Sequence, residues 1–66
     1  MAGRLTTREL EILKLAGGGM LNKRISERLG LTEGTVKWYL QQVFDKLGVR
    51  ERSRAAAKAR QLGLIS

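Results

Sequence analysis

The 66-residue chain contains no cysteine, no histidine and no proline. Without cysteine there is neither a disulfide framework nor a thiolate zinc site, and a reducing compartment suits the chain. Without histidine it lacks the commonest general base and the commonest metal ligand. The six carboxylates are scattered among basic residues, where they suit capping and ion pairs rather than acid–base catalysis. These absences predict a protein that is not an enzyme and that takes no cofactor, metal or small molecule. The apolar runs are too short to cross a bilayer, and no signal-peptide pattern opens the chain, so a cytoplasmic protein is expected. Length permits one small domain, near the lower limit for folding without staples.

What the chain does have is positive charge. Thirteen Lys and Arg face six Asp and Glu, a formal net charge of +7. That balance favours a polyanion, either nucleic acid or an acidic membrane surface. The basic residues are spread over several segments rather than forming one amphipathic helix, which argues against the membrane. Basic character for solubility alone is the plainer alternative.

The absence of proline and of β-branched alternation points to an all-α chain. Thr6-Thr7-Arg8-Glu9 has the form of a capping box, so a first helix is predicted over 7–16, with Leu10, Ile12, Leu13 and Ala16 inside. Gly17-Gly18-Gly19 ends it. Gly17 and Gly18 should fray its end by about 1 kcal/mol each relative to alanine if they are helical. A short second helix is predicted over 22–29, with Ile25 and Leu29 on one face and Gly30 as its stop. Thr32 can cap a third helix over 33–47, where Glu33 suits the positive end of the dipole. Two helices joined by so short a glycine-bearing turn form a helix-turn-helix signature. Gly48 closes the third helix, and Ser53 can cap a fourth over 54–62. The alanines of that last helix allow another helix to approach closely, and Leu64 and Ile65 are expected to fold back onto the core.

The third helix carries the functional message. Val36, Leu40, Val43, Phe44 and Leu47 recur at the spacing of one apolar stripe. At about 100° per residue, Trp38 falls almost opposite, beside Gln41 and Gln42 with Lys37 on the flank. The only tryptophan of the chain thus stands where a soluble helix normally places charge. Asp45 shares its face two turns later, and a carboxylate there would repel phosphate. The helix should therefore be leaving a nucleic-acid groove by that point.

The combined pattern Leu5-Thr6-x-Arg8-Glu9, Gly19-x-x-Asn22-Lys23-x-Ile25, Leu29-Gly-Leu-Thr-Glu-x-Thr35-Val36-Lys37 and Lys46-Leu47-Gly48-Val49 resembles the LuxR-type (GerE-like) helix-turn-helix domain over nearly the whole chain. The Trp38-bearing motif is most similar to the large ATP-dependent members. The resemblance implies a four-helix bundle that binds double-stranded DNA for bacterial transcription regulation, with RNA polymerase as a further partner. It implies that the third helix enters the major groove and places base reading on Lys37, Trp38 and Gln41. Lys37 can donate to guanine O6 and N7, and Gln41 can pair bidentately with adenine. Trp38, with one donor and no acceptor, suits thymine methyls or the sugar–phosphate wall. Backbone anchoring is expected from Asn22, Lys23, Thr35, Tyr39, Lys46 and Arg50, with capping of the second helix an equal use for Asn22. The fourth helix resembles the dimerisation element, with Ala55, Ala56 and Ala59 at a close contact and Arg54 and Lys58 at its rim. A weak homodimer on two half-sites about one helical turn apart or closer is expected. The alanines could instead pack inside the monomer.

Five positions depart from the family pattern, two of them Gly17 and Gly18, which stand where better helix formers are usual. Leu21 stands for the usual Ser and Arg24 for Glu, which removes the capping box of the second helix. Tyr39 stands for His. Two other readings compete: a promoter reader similar to sigma-factor region 4, which fits Lys46–Val49 and helix four less well, and a helical protein-interaction module anchored by Trp38. Met1-Ala2-Gly3 directly before the motif is read as the mark of a domain excised from the C-terminus of a larger regulator.

Overall fold

The computed structural model describes residues 4–66; Met1–Gly3, and the reading of them as the edge of an excised domain, lie outside it. Four helices follow in order: α1 (Thr7–Gly17), α2 (Asn22–Leu29), α3 (Glu33–Leu47) and α4 (Arg52–Gln61). The all-α helix-turn-helix architecture expected from the sequence is present.

The capping box opens α1 as its residues dictate. The Glu9 amide donates to the Thr6 hydroxyl at 3.1 Å, and the Thr6 amide donates to the Glu9 carboxylate at 2.7 Å. Glu9 is also buried and receives the Lys46 ammonium at 2.8 Å, tying the start of α1 to the end of α3. Burial alone would raise the Glu9 carboxyl. The bonds from Lys46 and the Thr6 amide and hydroxyl outweigh it and hold the group below its usual range. Glu9 thereby takes an inner position predicted for Leu10, which is only half-buried.

The end of α1 differs from expectation by one residue, because Gly17 stays helical. A Cβ on Gly17 would lie 3.1 Å from the Ala56 methyl, tighter than an ordinary contact. The glycine therefore sits at a close approach of α1 to α4, rather than at a frayed end. Gly18 is the cap residue that follows it.

Between α2 and α3 the chain turns through Gly30 at φ 69°, a left-handed conformation that needs no Cβ. Its amide donates to the Ser26 carbonyl, as does that of Leu31 at 2.9 Å. Thr32 then caps α3, accepting from the Thr35 amide at 3.1 Å. So short a connection fixes the angle between the two helices.

Two joined cores hold the bundle. Ile12, Ala16, Ile25, Val36 and Leu40 unite α1, α2 and α3. Leu13, Val43, Leu47, Ala55 and Ala59 unite α1, α3 and α4. Phe44, partly covered, packs against both. Ile65 folds onto the second core as expected, whereas Leu64 remains exposed.

Helix α4 begins two residues earlier than predicted. Glu51, in an extended conformation, is its cap residue, and Ser53 lies within the first turn instead of capping it. The Arg52 guanidinium explains the shift: it donates to the Met20 carbonyl at 2.8 Å and to the Asn22 side chain. A tertiary tether thus sets the start of α4. The expectation that Ala55, Ala56 and Ala59 form a dimer contact is corrected here. All three are buried inside the monomer, where their small size lets α4 approach the rest of the bundle.

A candidate nucleic-acid interface on α2 and α3

The apolar stripe of α3 determines what its other side presents. With Val36, Leu40, Val43 and Leu47 buried, Lys37, Trp38 and Gln41 all emerge into solvent. Trp38 is 57% exposed, although one edge contacts the Tyr39 ring in a T-shaped arrangement at 5.2 Å between centroids. Tyr39 is half-buried against the first core, so its ring supports Trp38 from below. Together these residues offer a lysine cation, an amide with donor and acceptor ends, and a flat apolar surface. That combination can meet base edges and a methyl group in one groove.

The expected anchoring residues divide. Lys23 and Arg50 are exposed, and neither forms an ion pair among the described residues. Thr35 accepts from the Thr32 hydroxyl at 2.9 Å, which leaves its own hydroxyl proton free to donate to a phosphate. Two expectations are corrected. Lys46 is committed inward, donating to Glu9 and, at 3.1 Å, to the Arg4 carbonyl. Asn22 does not cap α2; the cap residue is Leu21, without a side-chain bond, and the Asn22 oxygen accepts from Arg52.

The structure adds two residues that the sequence reading passed over. Arg24 and Arg28 lie exposed one turn apart on α2, on the flank of the side that buries Ile25 and half-buries Leu29. The signal was present, since the four-residue spacing of Arg24 and Arg28 alternates with the apolar pair. Leu21, 74% exposed at the head of α2, adds an apolar contact beside them. Of the rim residues proposed on α4, Arg54 pairs with Glu51 at 3.3 Å but remains largely exposed, and Lys58 is exposed.

Beyond Gln41 the surface falls into an open groove of about 490 Å³ lined by Gln41, Phe44, Asp45, Gly48, Val49 and Arg50. Within it the Gln41 amide donates to the Asp45 carboxylate at 3.1 Å. No group of three or more metal-ligating side chains occurs among the described residues. Nor is any described helix long and apolar enough to cross a membrane.

Comparison with known proteins points to the same fold. Residues 3–59 match the family described as bacterial regulatory proteins, luxR family. The HTH-type transcriptional regulator AlkS of Alcanivorax borkumensis is 46% identical over 61 residues, covering 92% of this chain and 7% of that protein. The transcriptional regulatory protein LnrK of Bacillus subtilis is 50% identical over 52 residues, covering 79% of this chain and 24% of its own. Among solved structures, the response regulator ChrA of a heme-sensing two-component system superposes with a TM-score of 0.91 at 40% identity. That superposition covers 96% of this chain and 31% of ChrA. The chain thus spans less than a third of each of these relatives.

Proposed function

Because the chain belongs to the LuxR family of bacterial regulatory proteins, whose helix-turn-helix domains bind DNA in transcription regulation, we propose that α3 is its base-reading helix. In this reading Lys37, Trp38 and Gln41 enter the major groove. Lys23 and the Thr35 hydroxyl hold the phosphates on one side, and Arg50 does so on the other. Arg24 and Arg28 extend the same electrostatic track along α2. Tyr39 contributes by supporting Trp38. The observation that carries the proposal is the exposure of Trp38 beside a lysine and an amide, on a helix whose opposite side buries Val36, Leu40, Val43 and Leu47.

The oligomeric reading changes with the burial of the α4 alanines. A homodimer formed on DNA would use the free side of α4, where Arg54 and Lys58 stand, and like charges there would keep it weak without DNA. The small share of each relative that this chain spans supports its reading as the DNA-binding module of a longer regulator; a cytoplasmic setting and a contact with RNA polymerase belong to the same proposal.

A binding selection on random duplex DNA at ~150 mM salt, where non-specific charge attraction is already reduced, tests this reading. Enrichment of a two-fold symmetric motif is expected. Lys37→Ala should relax one position of that motif, at a cost of about 1–3 kcal/mol. Binding that merely vanishes as salt rises, with no enriched motif, would leave only a non-specific tether. Trp38 would then belong to a protein interface.

A further inference from the structure

Asp45 is oddly placed. A carboxylate in the last turn of a helix opposes the negative end of the helix dipole. It is exposed and forms no ion pair among the described residues, although Arg50 lines the same groove. On the face proposed for DNA it would also repel phosphate. Its one side-chain bond is the 3.1 Å acceptance from the Gln41 amide, one helical turn earlier.

That bond has a directional consequence. A carboxylate only accepts, so it can face only the nitrogen end of the Gln41 amide, never the oxygen. A free glutamine can rotate its amide and exchange donor for acceptor toward a base. Gln41 cannot do so while Asp45 holds its nitrogen. With one N–H committed to Asp45, the oxygen and the second N–H are what the amide still offers to a base. An outward acceptor beside one donor matches adenine, whose groove edge offers the N6 donor next to the N7 acceptor. Guanine offers acceptors at both places, which a rotated amide would tolerate better.

We propose that Asp45 is a specificity-positioning residue: it locks the Gln41 amide in the one orientation that selects adenine at the base pair this side chain meets. This rests on the reading of Gln41 as a base-contacting residue. Asp45 itself need touch no base.

The test is a binding selection on random duplex DNA with the unaltered protein and the variants Gln41→Ala, Asp45→Ala and Asp45→Asn. Circular dichroism should be unchanged in all of them, since both side chains are exposed. The unaltered protein should show a position with adenine preferred by about fivefold or more, lost in Gln41→Ala. Asp45→Ala should flatten that same position and leave the others as they were. Asp45→Asn, whose amide can face either end of the Gln41 amide, should lose most of that preference as well. A preference lost in Gln41→Ala but intact in Asp45→Ala overturns the positioning role alone. If Gln41→Ala alters no position, the base-contact reading fails first. A uniform gain in affinity for both Asp45 variants, with every preference intact, would make the carboxylate a charge effect and overturn the proposal.

Discussion

Replacing Glu9 with alanine should cost this small domain a large part of its stability, through two separate losses. The Thr6 amide loses its acceptor in the capping box, worth about 0.5–1 kcal/mol. The Lys46 ammonium loses a charged partner at 2.8 Å. A hydrogen bond to a charged group contributes about 1.5–3 kcal/mol, and the lower end applies because Lys46 remains 26% exposed and can rehydrate. The sum is about 2–3 kcal/mol, against a total of about 3–10 kcal/mol for a domain of this length. At roughly 4–8 °C per kcal/mol, the melting temperature should fall by about 10–20 °C, measured by circular dichroism. Glu9→Gln keeps an acceptor for Thr6 and should lose about half as much. The ion pair also has a pH signature. The folded carboxyl lies below its ordinary value of about 4.3, so its contribution is fully present above that pH and is lost as pH falls through the folded pKa. Glu9→Gln should remove that acid-side loss. A double-mutant cycle with Lys46→Ala that shows no coupling between the two positions would refute the energetic role assigned to the pair.

Four further outcomes are expected. Gly17→Ala should lower the melting temperature by the equivalent of about 1 kcal/mol, because its methyl meets Ala56 at a packed seam. Gly18→Ala, at φ −81° with ordinary contacts around the added carbon, should raise it by the equivalent of about 0.4–1 kcal/mol. Leu40→Ala, which opens a void in the first core, should destabilise by about 2–5 kcal/mol in a denaturant titration. Trp38→Ala should leave the thermal melt nearly unchanged yet weaken binding to the selected DNA by about tenfold, read by anisotropy; a large fall in melting temperature would contradict its outward placement.

The features legible in the sequence were those that local rules determine. The capping box of Thr6 and Glu9, the Gly30 turn, the Thr32 cap and the apolar stripe of α3 depend on neighbours three or four residues away. So does the outward position of Trp38, which follows once the stripe is known. What escaped depends on partners far along the chain. Lys46 looks like any lysine near a helix end until Glu9, 37 residues away, is brought beside it. Arg52 likewise begins α4 early by reaching back 32 residues to Met20. The alanines of α4 are a different case. Their helix propensity is the same whether they face a neighbour in the same chain or another copy, so only packing distinguishes the two.

The placement of the single tryptophan also determines what light can report. Trp38 is the sole indole, and it already faces solvent in the folded chain. Its emission should therefore resemble that of an indole in water and shift little when the domain unfolds, so fluorescence is a poor thermometer for this fold. The same exposure makes it a built-in beacon for occupancy: whatever settles on α3 must cover the ring, and a quench or blue shift would follow without any attached dye.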